Sequence, residues 1–160
     1  MALIQENILH ELEKDEFGPG LISEQLSFFP AIFPFLQQRE EILGKARPVL
    51  AYSIAAAVWA FRQSCPGPER DMPTGILDSL WDRLSQSQSG GNIPEVLEEL
   101  EPQLWALFLN LSEAAFVKEE WSREEFIVAG HVYAAVLFAL IYSFWPEAEL
   151  SEVEKSLQLI

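Results

Sequence analysis

An all-α fold is what this sequence predicts: a single-domain bundle of about six to eight helices, with two apolar helices near 48–62 and 123–145 at its centre. Three observations point there. Apolar residues recur at intervals of three and four along most of the chain, the spacing that gathers them on one helical face. Two stretches, Val49 to Phe61 and Phe126 to Trp145, carry no formally charged side chain, so neither offers a clear wet face. β-Branched residues are scattered, and no alternating run is framed by hairpin turns.

Leu3, Ile4, Ile8, Leu9 and Leu12 define an amphipathic helix over about 2–16. Phe17-Gly18-Pro19-Gly20 ends it, because glycine accepts the left-handed cap conformation and proline cannot continue the ladder. Leu21 to Phe29 fits a short second helix. Pro30-Ala31-Ile32-Phe33-Pro34-Phe35 sets two prolines among aromatics and reads as an interruption, followed by a polar helix from about Phe35 to Ala46 whose apolar contacts are Leu36, Ile42 and Leu43. Pro48 suits the first turn of the next helix, where its missing N–H has no partner to lose. The following thirteen residues include five alanines and make the first central helix.

Arg62 to Thr74, with Pro66, Gly67, Pro68 and Pro73, reads as a surface connection. Ile76, Leu77, Leu80, Trp81 and Leu84 form an apolar stripe opposed by Asp78, Asp82 and Arg83. Ser85 to Asn92 is a flexible loop by composition. Each half of about 80 residues contains one apolar helix that needs cover, so the halves are expected to pack into one domain spanning 1–160. Val96, Leu97, Leu100, Leu104, Leu107, Phe108 and Leu111 mark a buried stripe from Pro94 to Leu111, kinked or broken at Pro102. Ser122, with Glu125 three residues on, is a capping box that opens the second central helix, and Ser151 with Glu154 opens a last short one to Leu159.

Charge narrows the function classes. Twenty-five acidic and ten basic side chains give a net charge of −15, which opposes nucleic-acid phosphates and anionic lipid. Residues 1–80 carry −5 and residues 81–160 carry −10, so the second half is the acidic pole. The N-terminus turns acidic within a few residues and lacks the basic start and small-residue cleavage pattern of a secretory signal, which makes a cytoplasmic location the expectation. The single cysteine allows no internal disulfide framework. Phe126 to Trp145 is long enough to cross a bilayer, so a membrane-anchored protein stands as an alternative; acidic flanks and the internal His131 favour a central helix instead.

Chemistry-bearing patterns are sparse. The Glu-x-x-His spacing of metal-binding bundles is absent. Glu6 with His10 and Glu124 with His131 share helical faces and would supply four ligands if those helices met, so a metal-binding or enzymatic bundle is a further alternative. Cys65 precedes Pro66 with no activating base in sight, and no Gly-x-Ser-x-Gly, phosphate-binding loop or His-Glu-x-x-His occurs. No catalytic residue, metal or cofactor is assigned.

Recognition features are better represented. Counted at 100° per residue along a helix from Pro94, Trp105 falls within about 20° of Glu98 and one turn after Glu101, an aromatic in an acidic face that suits a basic protein partner. The second candidate is the aromatic segment of Phe28, Phe29, Phe33 and Phe35. With Phe29 and Phe33 exposed it serves a partner or a homodimer; buried, it plugs one end of the bundle.

Ile76-Leu77-Asp78-Ser79-Leu80-Trp81-Asp82-Arg83-Leu84, preceded by a Pro/Gly connection and a helix carrying Phe61, resembles the YjaG-like family of bacterial helical proteins of unknown function over about residues 45–85. The resemblance implies an all-α cytoplasmic bacterial protein and carries over no catalytic residue. The functional expectation is thus a non-catalytic, immunity- or adaptor-like interaction protein that binds a basic partner, with neither nucleic acid nor membrane.

Overall fold

A computed structural model describes residue 4 and residues 19–68, 70–72, 75–86 and 101–145. Among these residues the fold is all-α, without strands. In chain order the helices are α1 (Pro19–Ser27), α2 (Ile32–Gln38), α3 (Glu40–Leu43), a 3-10 turn (Gly44–Ala46), α4 (Arg47–Ser64), α5 (Ile76–Gln86), α6 (Pro102–Lys118) and α7 (Arg123–Phe144). The expected helices at 2–16 and 151–159, and most of the 85–92 loop, lie outside the described residues. Of the loop, Ser85 and Gln86 still belong to α5.

The two apolar helices are central, and they run in the same direction. Their beginnings meet where the Lys45 backbone N–H donates to Glu125 at 2.6 Å, and their ends meet where the Phe61 and Phe144 rings stack at 5.1 Å. In α4 every residue from Ser53 to Phe61 is buried; in α7 the buried run is Val132 to Ile141. Two buried serines inside these helices bond to their own backbone. Ser53 donates to the Val49 carbonyl at 2.8 Å and Ser143 to the Ala139 carbonyl at 2.9 Å, so a buried hydroxyl stays paired without a tertiary partner.

The other helices wrap this pair. α5 runs opposite to α7: Arg70, ahead of α5, bonds the Ser143 carbonyl at 3.2 Å, while Trp81 within it meets His131 edge-on. α6 is also antiparallel to α7, with Glu101 beside Trp145, Leu104 and Phe108 beside Tyr133, and Phe116 beside Phe126. α1 lies along the end of α4, where Arg62 donates to Gln25 at 3.0 Å. α7 is long and apolar enough to span a membrane, yet 67% of its most apolar window is covered by the rest of the bundle.

Two local expectations are corrected. α2 begins at Ile32, so Pro34 lies in its first turn rather than interrupting the chain; N–H groups there have no intrahelical acceptor, and proline forfeits nothing. Ile42, expected as an apolar contact of the polar helix, is 47% exposed, whereas Leu36 and Leu43 are buried. Pro102 breaks the expected 94–111 helix and opens α6, which then continues to Lys118.

The turn from α6 to α7 follows the Schellman pattern. The Trp121 N–H reaches back to the Phe116 carbonyl at 3.2 Å, with the preceding residue in the left-handed conformation. That residue is Glu120, at φ 55°, where glycine is usual. The capping box read from sequence then starts α7: Ser122 accepts from the Glu125 N–H at 3.0 Å, and Glu125 accepts from the Ser122 N–H at 2.9 Å.

Candidate partner-binding surface

The acidic face expected around Glu98, Glu101 and Trp105 does not form on the described residues. Glu98 lies outside them, Glu101 is fully buried and Trp105 is 4% exposed. The physical reason is the width of the buried arc: Trp105 adjoins Leu104, which is buried as the stripe requires, and both pack inward, while the Glu101 carboxylate is bonded inside the core. With α6 starting at Pro102, the buried face runs through Leu104, Trp105, Phe108, Ser112 and Ala115. Trp105 lies against Phe108 and Tyr133, at 5.6 and 6.2 Å between ring centroids.

Glu101 is instead an internal anchor. It precedes the first turn of α6, and its carboxylate accepts the Trp145 indole N–H and the Ile4 backbone N–H, each at 3.2 Å. Three distant parts of the chain therefore meet on one carboxyl group. Tyr133 donates its hydroxyl to the Leu104 carbonyl at 2.9 Å and stacks on Phe108 at 4.4 Å. Burial, and then the charge of Glu101, push the Tyr133 phenol far above its ordinary range, so it stays a neutral donor. Sequence reasoning missed this anchor because it placed Glu101 in a wet acidic face; the donors that hold it inside, Trp145 and Ile4, lie 44 and 97 residues away along the chain.

The aromatic segment divides by side. Phe29 and Phe35 are buried, while Phe28 is 40% and Phe33 51% exposed. Phe29 packs edge-on against Phe144, and Phe28 packs edge-on against Phe29, so a row of rings leads from the surface to the Phe61–Phe144 stack. Of the two residues expected to meet a partner, Phe33 is available and Phe29 is a core plug.

Beside this row opens a cavity of about 310 Å³, between the α1–α2 turn (Phe28, Phe29, Pro30) and the α4–α5 connection (Pro68, Asp71, Met72). Arginines fasten both walls. The Arg62 guanidinium lies 4.2 Å from the centre of the Phe28 ring while bonding Gln25, and Arg70 donates to the Tyr142 carbonyl and lies 5.2 Å from the Tyr142 ring. A third, Arg39, is 9% exposed and sits between Phe35 and Trp81 at 4.0 and 5.0 Å from their centres, with Asp78 at 2.9 Å and the Phe35 carbonyl at 3.1 Å. These cation–ring contacts were not read from the sequence, although Phe35 and Arg39 lie one turn apart. A second, more open hollow of about 260 Å³ is lined by Pro48, Val49, Tyr52 and Leu111, with no charged group.

The constellations behind the metal-binding alternative are only partly described. Glu6 and His10 lie outside the described residues; Glu124 is exposed and His131 half-buried against Trp81. Among the described residues no group of three or more His, Cys, Asp or Glu side chains is placed to hold an ion. Burial lowers the His131 pKa. Cys65 is half-buried at the end of α4. The charge is also unevenly shared: the described residues hold twelve acids and eight bases, the rest of the chain thirteen and two. Comparison with known protein families, curated proteins and solved structures finds no match to the chain.

Proposed function

We propose that this chain is a non-catalytic, cytoplasmic interaction protein, immunity- or adaptor-like in kind, that binds a basic protein partner. The observation that carries the reading is the exposed pair Phe28 and Phe33 on a chain of net charge −15. Large aromatics left in water beside prolines serve as interface anchors, and a strong negative field steers a cationic partner toward them. The same field disfavours nucleic acid and anionic membrane as partners.

The test is capture at 50 mM salt, identification of the retained proteins, and rebinding of the purified candidate across a salt series. A partner of high isoelectric point whose affinity falls steeply with salt supports the reading. Retention that is unchanged at 1 M salt, or only acidic proteins retained, sinks it. A membrane-anchored reading draws on the length and apolarity of α7. Recovery of the chain in the detergent-free supernatant after high-speed centrifugation removes it.

A further inference from the structure

We draw no further inference here: the strongest candidate, the uncharged hollow between the start of α4 and the middle of α6 that Pro48, Val49, Tyr52 and Leu111 line, is an apolar surface, and nothing in the structure shows what covers it.

Discussion

The indole N–H of Trp145 donates to Glu101 at 3.2 Å, and this bond joins the end of α7 to the beginning of α6 inside the core. The same carboxylate accepts the Ile4 N–H. Glu101→Leu keeps the bulk but orphans both donors. A buried donor without an acceptor costs about 1–3 kcal/mol, so the expected loss is about 2–5 kcal/mol by urea unfolding followed through tryptophan fluorescence. Glu101→Gln retains one acceptor and is expected to lose about 1–3 kcal/mol. A leucine variant as stable as wild type contradicts the anchoring role.

Ser112 presents the opposite case. Its side chain is fully buried on α6 and its hydroxyl has no hydrogen-bond partner among the described residues, unlike Ser53 and Ser143 on α4 and α7. Ser112→Ala removes an unpaired polar atom and substitutes a better helix former, so it is expected to stabilise by about 1 kcal/mol. Ser143→Ala serves as the comparison and gains less. Destabilisation by Ser112→Ala would show that the hydroxyl has a partner in solution.

Two positions with positive φ give opposite expectations. Glu120 holds the left-handed place in the α6–α7 turn without the freedom of glycine, so Glu120→Gly is expected to gain about 1 kcal/mol. Gly44 has φ 51° and ψ −121°, and a Cβ there would collide with the Glu125 carboxylate. Gly44→Ala is therefore expected to lose about 1–3 kcal/mol, since both the backbone region and the neighbouring carboxylate resist it. Thermal midpoints of the two variants should move in opposite directions.

Acidification acts through two groups in turn. Burial holds the His131 pKa below its ordinary 6.5, so the unfolded chain takes up a proton first; the stability involved is full above 6.5 and falls as pH drops toward the depressed folded value. The Glu125 pKa is lowered mainly by the Ser122 backbone N–H and then by that of Lys45. Its contribution is full above 4.5 and is lost as pH falls through the folded value. Because a net charge of −15 also relaxes on acidification, the informative quantity is the difference between wild type and variant. The advantage of wild type over His131→Gln should shrink between pH 7 and 5, and its advantage over Glu125→Gln only below that interval. The reverse order contradicts both assignments.

The helices were readable wherever local rules decide them. Pro48 and the Ser122–Glu125 box mark true starts, and the two charge-free runs are the centre because no face of either could remain wet. What escaped depends on distance along the chain. Glu125 caps its own helix as expected, but its reach to Lys45, 80 residues away, needs the two helices side by side. Trp105 was misplaced because the buried arc of α6 is wide enough to take in the position next to Leu104, which only the packing against Phe108 and Tyr133 reveals. Phe28 and Phe29 differ in exposure because the turn between α1 and α2 sends adjacent side chains to different sides, and only packing decides which of them turns inward. Arg39 looked like part of a polar helix until Trp81 and Phe35 closed on either side of it.

Ala55, Ala56 and Ala57 are enclosed in all directions at the middle of α4. Three consecutive positions on a helix cover most of its circumference, so any enlargement there meets a neighbour whichever way it points. Evolutionary drift in this protein should accordingly be anisotropic: the spindle stays tiny-sided, and tolerated variation collects in the outer helices and in the length of the stretch between α4 and α5.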